Sequence, residues 1–268
     1  MKLAFMSFSC PQLDLDEMLA LARRLGYDGI EPRAVSGHAH GVELEATADQ
    51  RREINRKALD SGIAICCVAT SCQYADPQQT KEQVEDTLRY IDLAGDVGAP
   101  VIRVFGGRIP EKIGREQAIV LLDAALGVVA QHAAQRGITV CVETHDDWCD
   151  PDHLAMVLQR LKHPSIAVNW DIMHPVRAGK SIDQAFETLR PLIQHVHFHD
   201  GTFASGKIQF TPVGQGLVDH RRALERLMEM GYEGYLSGEW INWEPYQQHL
   251  PRELATMKGY EEELAERR

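Results

Sequence analysis

The sequence is short of several things, and each shortage narrows what the chain can be. Of its 268 residues only 28 are lysine or arginine against 39 aspartate or glutamate, a net charge of −11. The surface as a whole therefore repels phosphate backbones, and no nucleic-acid partner is expected. No apolar run reads as approaching the roughly 20 residues a membrane-spanning helix needs, so no membrane partner is expected either. The six cysteines (Cys10, Cys66, Cys67, Cys72, Cys141, Cys149) include no Cys-x-x-Cys pair, which speaks against a zinc knuckle or a disulfide framework and in favour of reduced core residues. The apolar start, Met1 to Pro11, runs into Asp14, Asp16 and Glu17 without a small-residue cleavage site; it reads as a first buried strand, and the expected location is cytoplasmic. Ser7–Leu13 has no Gly-rich phosphate turn, which disfavours an open doubly wound sheet.

What is present is a regular alternation of short β-branched runs and longer helical stretches along the whole chain. The candidate strands are Leu3–Phe8, Gly29–Arg33, Ala64–Ala69, Val101–Phe105, Thr139–Glu143, Ala167–Asp171, His195–His199 and Tyr235–Glu239. Between them the helices Asp14–Leu25, Asp49–Ser61, Pro77–Val97, Arg115–Arg136, Pro151–Leu161, Ile182–Arg190 and Asp219–Met230 are expected, with Leu250–Arg268 closing the ring. Gly26, Gly62, Gly98, Gly137 and Gly231 stand where helices end, since glycine adopts the left-handed turn at little cost. No linker divides the chain, and its length suits the ~250 residues of one α/β domain of (β/α)8, or TIM, barrel type over residues 1–268.

Side chains alternate along a barrel strand between lumen and helix layer. On the last four strands Val140, Val142, Val168, Trp170, Val196, Phe198, Leu236 and Trp240 form one set. The opposite set holds Glu143, His145, Asn169, Asp171, His195, His197, His199, Ser237 and Glu239. The apolar set suits the helix layer, so the acids and histidines belong to the lumen, at the strand ends where barrel enzymes build their sites. Glu143, Asp171, His197 and Glu239 are thereby aimed at one region. Three carboxylates crowded there repel one another unless a cation stands between them. Three oxygens and one imidazole suit one divalent ion, Mn2+, Mg2+, Co2+ or Zn2+. His195, deeper on its strand, reads as a hydrogen-bonded core histidine, and His199 and Asp200 as supporting or capping groups.

Several stretches together carry a family resemblance: Gly26-Tyr-Asp-Gly-Ile-Glu31, Val142-Glu-Thr-His145, Asp171-Ile-Met-His174, His195-Val-His-Phe-His-Asp200, Gly214-Gln-Gly216 and Gly231-Tyr-Glu-Gly-Tyr-Leu-Ser-Gly-Glu-Trp240. Over nearly its whole length the chain resembles the xylose-isomerase-like barrel superfamily, in its sugar phosphate isomerase/epimerase group. The resemblance implies the same four metal ligands, a substrate contact at His174, and proton transfer through an enediolate with Glu143 and Glu239 as catalytic acid and base. Glu31, Arg33, Arg103 and His145 also face inward near strand ends and are candidates to line a pocket for a small sugar or polyol. For Arg33 and Arg103, ion pairs with Glu31 or aspartates are the competing role. Two departures leave the substrate open. Phe203 stands where the 3-epimerases usually have arginine, with Lys207 the nearest base, and His199 stands where lysine is common.

Three other functions compete. A dehydratase acting on a cyclic polyol ketone or a dehydroshikimate-like acid would share the site and the first proton removal. A trinuclear-zinc abasic-site endonuclease would need histidines where this chain has Ser71-Cys72-Gln73 and Gly106-Gly107-Arg108. A sugar-binding barrel without turnover would not need both Glu143 and Glu239. Gly106-Gly107-Arg108 is a weak candidate phosphate cradle, and His38-Ala-His40-Gly41 is a lid, a substrate contact or an exposed loop. The number of subunits, a homo-oligomer included, stays open.

Overall fold

The computed structural model describes residues 1–204 and 207–267, with side chains placed for all of these but 204 and 207. The alternating pattern yields strands β1 (Lys2–Met6), β2 (Gly29–Glu31), β3 (Ala64–Ile65), β4 (Val68–Gln73), β5 (Val101–Phe105), β6 (Thr139–Glu143), β7 (Ile166–Asp171), β8 (Ile193–Phe198), β9 (Asp200–Ala204), β10 (Lys207–Thr211) and β11 (Tyr235–Gly238). All but β9 and β10 form one parallel sheet in the order β3-β2-β1-β11-β8-β7-β6-β5-β4. The chain is thus a TIM-type barrel in which nine strands occupy eight places. The third strand is broken at the buried Cys66 and Cys67, so that β3 pairs with β2 and β4 with β5. A parallel bridge between Arg33 and Ala69 draws the ring together across this break. There the Ala34 amide donates to the Ala69 carbonyl at 3.0 Å and the Ala69 amide to the Pro32 carbonyl at 2.9 Å.

Helices α1 (Leu15–Leu25), α2 (Ala48–Ser61), α3 (Thr80–Val97), α4 (Arg115–Arg136), α5 (Pro151–Leu161), α6 (Met173–Arg177), α7 (Ile182–Leu189), α8 (His220–Glu229) and α9 (Tyr246–Glu266) surround the sheet. Capping boxes at Asp14, Thr47 and Ser181 start α1, α2 and α7 by satisfying free amides of the first turn. Left-handed glycines end α1 to α4 as expected, and Gly231 takes the same conformation one residue beyond the cap of α8. The apolar strand residues listed above lie in the main core between sheet and helices. Ala4, Cys66, Cys67, Val101, Cys141 and Ala167 form a separate apolar cluster of mostly small side chains. Cys141 shares the inward face of its strand with Glu143, so this cluster floors the barrel beneath the polar strand ends. Every cysteine is free, and burial pushes the Cys10 thiol up to about 12.

Some boundaries differ from expectation. The first strand stops at Met6 because Ser7–Ser9 turn into a short 3-10 segment, and the last strand stops at Gly238, leaving Glu239 just past it. The final helix begins at Tyr246 rather than Leu250, and α6 and the β9–β10 hairpin add elements after the sixth and seventh barrel strands. The reading of apolar runs also needs correction: α4 is long and apolar enough, by length and composition alone, to cross a membrane. In the fold it packs between α3 and α5.

The hairpin is tied to the barrel by one carboxylate. Asp200, fully buried, accepts from the amides of Gly201 (2.8 Å) and Val218 (3.1 Å) on one oxygen and of Gly214 (2.9 Å) and Gly216 (3.0 Å) on the other. A Cβ at Gly216 would lie 2.2 Å from the Asp200 carboxylate, so the Gly-Gln-Gly stretch is shaped by this anchor. Asp200→Asn replaces one accepting oxygen with a donor facing two N–H groups. The expected loss is about 3 kcal/mol of folding stability, to be read from urea unfolding; an unchanged midpoint would show that the loop holds itself.

Candidate metal centre

Strand pairing sets the site. Asp171 on β7 is in register with His197 on β8, and His197 with Ser237 on β11, two residues before Glu239. One ligand atom each from Glu143, Asp171, His197 and Glu239 lies within 4.8 Å of all the others. The first three are buried, while the Glu239 side chain is 12% exposed, on the solvent side of the cluster. His197 Nδ1 stands 3.2 Å from Glu239 and 3.7 Å from Glu143. Neither oxygen of Glu143 nor Nδ1 of His197 makes a hydrogen bond. Buried polar atoms left without partners, converging from several strands, are what a cation-binding set requires. Burial alone would keep the His197 ring neutral, yet Glu31, Glu143 and Glu239 drive its pKa well above the ordinary value. The cluster thus demands a positive charge, and three carboxylates with one imidazole fit a divalent ion.

The groups behind these four residues hold them in place. Glu31, completely buried, accepts from His197 Nε2 at 3.0 Å and from His195 Nε2 at 2.8 Å. Burial raises its pKa, but the two imidazoles outweigh that and hold it well below the usual carboxylate range. The carboxylate holds the His197 ring with hydrogen on Nε2 and Nδ1 turned toward the cluster. Glu31 therefore lies beneath the site rather than on the wall of a substrate pocket, a correction that follows from both of its oxygens being taken. His195 is the hydrogen-bonded core histidine anticipated for it. Asp171 accepts from the Met173 and His174 amides at the start of α6 and from His199 Nε2 at 2.9 Å.

Arg103, also buried, donates to the Thr70 carbonyl at 2.9 Å and sits 3.0 Å from Glu143. Its ion-pair partner is thus a candidate metal ligand and not Glu31 or an aspartate. Burial pushes Glu143 up, but Arg103 and His197 together bring it down to about 2. Arg33 is half-buried, donates to the Ala34 carbonyl and the Ser71 hydroxyl, and forms no ion pair among the described residues. Burial and the charge of Arg103 lower its pKa to about 10, against the opposing pull of Glu239 and Glu143.

The His174 ring is buried, packs edge-on against His145 at 4.5 Å between centroids, and leaves Nδ1 without a hydrogen bond. Only its backbone amide bonds Asp171, so the ring remains available to a ligand. His145 lines a cavity of about 480 Å³ with Arg108, Asp146, Asp147, Cys149, Arg177 and Ala178. Burial lowers its pKa, but Asp146 at 3.1 Å and Glu143 more than compensate and raise it to about 9.

Two further motifs resolve into structure. A Cβ at Gly106 would lie 2.4 Å from the Trp148 ring, and Trp148 donates to the Gly107 carbonyl, so an indole packs against the turn considered as a phosphate cradle. His40 is buried, with Nε2 on the Arg33 carbonyl, while His38 bonds the Ser7 hydroxyl; the loop pins the strand end beside it. The side chain of Lys207 lies outside the described part. Glu31 and Asp200 are the functional supports that sequence reasoning missed or left open. The available signals were the inward position of Glu31 at the end of β2 and the two glycines opposite Asp200.

The chain belongs to the xylose isomerase-like TIM barrel family, whose pattern matches residues 19–261. Among curated relatives, a 3-dehydroshikimate dehydratase of Bacillus anthracis is 22% identical over 89% of this chain and 90% of its own length. An L-ribulose-5-phosphate 3-epimerase of Salmonella paratyphi A is 23% identical over 84% and 81%. The solved structure of an IolI protein with a bound zinc atom superposes with a TM-score of 0.82 at 17% identity, covering 98% of both chains.

If Glu31 orients His197, Glu31→Gln should weaken Mn2+ or Zn2+ binding about 10- to 100-fold in calorimetric titration while the protein stays folded. Unchanged affinity would mean that the ring needs no such partner.

Proposed function

We propose that this member of the xylose isomerase-like TIM barrel family is a divalent-metal-dependent isomerase or epimerase that moves a proton on a carbon next to a carbonyl in a small sugar or polyol. The observation that carries the reading is the convergence of Glu143, Asp171, His197 and Glu239 with the oxygens of Glu143 and Nδ1 of His197 free of hydrogen bonds. These four residues would hold the ion. When bound, a divalent ion polarises a carbonyl and its neighbouring hydroxyl, which acidifies the C–H between them. Arg103 stabilises Glu143 as an anion, so Glu239 is the better placed to take the first proton. The electron pair left behind delocalises toward the carbonyl oxygen as an enediolate. For an epimer, Glu143 across the cluster relays a proton drawn from solvent water to the opposite face while Glu239 releases its own to solvent; return of the Glu239 proton to the adjacent carbon gives an isomer. His174, with its free Nδ1, orients a substrate oxygen.

A second reading, a dehydratase, is favoured by His145. Against its burial, Asp146 and Glu143 raise its pKa to about 9, and it lies two residues from Glu143 at the edge of the cavity. In an elimination Glu239 would take the C–H proton, the electron pair would form the new double bond, and His145 would give its proton to the departing hydroxyl, which leaves as water. The dehydratase relative covers nine-tenths of the chain and points the same way.

Incubation of the Mn2+-loaded protein with ketoses, inositol ketones and dehydroshikimate-like acids in deuterated water separates the readings. Deuterium entering a C–H without loss of water supports the isomerase or epimerase; a new absorbing conjugated product supports the dehydratase. Glu143→Gln and Glu239→Gln should each cut the rate about 10²- to 10⁴-fold, and exchange that survives both would refute the two-carboxylate proposal. For elimination the rate should also fall as pH rises through the His145 pKa. A bound cation opposes the pull of Glu143, so that fall comes at or below about 9. A rate flat across this range removes His145 as the acid.

A further inference from the structure

The wall of the barrel on the other side of the mouth carries two guanidiniums in one row. Arg33 pairs with Ala69 across the break in the third strand, and Ala69 pairs with Arg103. Residues in register on adjacent strands project to the same side, so the two arginines flank the small Ala69 side chain on the lumen face. Both reach the same strand end: Arg103 donates to the carbonyl of Thr70 at 2.9 Å, and Arg33 donates to the hydroxyl of Ser71 at 2.5 Å. They differ in how their charge is met. Arg103 is balanced by Glu143, whereas all the acceptors of Arg33 are neutral and no ion pair reaches it among the described residues.

Arg33 is nonetheless firmly held. Its amide donates to Ser7 Oγ at 2.8 Å, its carbonyl accepts from His40 Nε2 at 3.2 Å, and Ser71 binds the guanidinium itself. A cation fixed in a half-buried place without a direct ion pair loses hydration and is met only at a distance by Glu239 and Glu143, and an anionic ligand in contact removes that cost. The charge to be met is one, and the guanidinium fork matches the planar geometry of a carboxylate in two parallel hydrogen bonds. A phosphate dianion is less well served, because the second guanidinium is already paired and the Gly106-Gly107 turn is packed against Trp148 and Gln73.

We propose that Arg33, with Ser71 beside it, is a carboxylate-recognition site, and that the substrate of this barrel is a hydroxy-keto acid whose carboxylate lies on Arg33 while its carbonyl end faces Glu143 and Glu239. The assignment of the reacting end rests on the proton-transfer reading above; the anion site does not. It makes Arg33 a determinant of specificity and predicts that neutral ketoses are poor ligands.

The test is calorimetric titration of the full-length, Mn2+-loaded protein with three probes: a polyhydroxylated cyclohexane carboxylic acid (quinate), its methyl ester, and fructose 6-phosphate. The acid should bind at least about tenfold more tightly than the ester, since only the acid pairs with the half-buried cation. Arg33→Gln should abolish that preference without weakening ester binding, and Arg33→Lys should restore part of it. Should Arg33→Gln fail to fold, Ser71→Ala supplies the check, with a smaller loss confined to the acid. Equal binding of acid and ester, no binding of the acid, tighter binding of the phosphate, or an acid preference that survives Arg33→Gln would each overturn the proposal. Acid preference in a protein that never exchanges substrate protons would sink the proton-transfer reading and leave the anion site standing. Exchange on neutral ketones without acid preference would do the reverse.

Discussion

His197 is gripped from both sides. Beneath it, Glu31 accepts the Nε2 hydrogen bond; above it, Glu143 and Glu239 crowd Nδ1, with Asp171 completing the ring of acids. This one contact gives the strand ends their order. Glu31 on β2, Glu143 on β6, His197 on β8 and Glu239 after β11 come from widely separated parts of the chain, and the ring can be held so only if the barrel is closed with the right register. So much like charge at the heart of the mouth is tolerable because a guanidinium and hydrogen-bonding imidazoles are interleaved with it. Arg103 stands against Glu143, His195 against Glu31 and His199 against Asp171.

The face of the candidate metal centre is thus built of acids alternating with their hydrogen-bonding and ion-pair partners, with small apolar residues underneath. The floor of Ala4, Cys66, Cys67, Val101, Cys141 and Ala167 brings no hydrogen-bonding competition to the layer above. The acid-histidine pairs can then be specified by geometry alone, a buried network in which each member's partner is another member. The atoms that fall outside this reciprocity, on Glu143, His197 and His174, mark where an ion and a substrate belong.

Much of this was legible in the chain. Period-two alternation put Glu143, Asp171, His197 and Glu239 on one face, and because lumen and helix layer differ sharply in polarity, the assignment of faces needed no tertiary information. Helix ends were readable from glycine and capping residues for the same local reason. What could not be read depended on pairing across the ring. Glu31 looked like any inward acid near a strand end; only the register of β2 against β1, and of β1 against β11, brings it under His197. The break at Cys66–Cys67 was invisible because both halves have strand-like composition. The β9–β10 hairpin was missed because its order comes from amides gathered by a side chain at its base, not from a pattern of its own.

The break in the third strand has a consequence for how such a barrel can change. The strands bearing the cluster, β6 to β8 and β11, are contiguous and paired along their length, so the reactive half is a stiff shell. On the opposite arc the gap is spanned by the Arg33–Ala69 bridge and the hydrogen bonds around it. Insertions, shifts or exchanged side chains along that seam can therefore reshape what the mouth accepts while the chemistry opposite stays in register. A fold divided in this way into a fixed workbench and an adjustable vice can be fitted to new molecules by altering one arc of its rim.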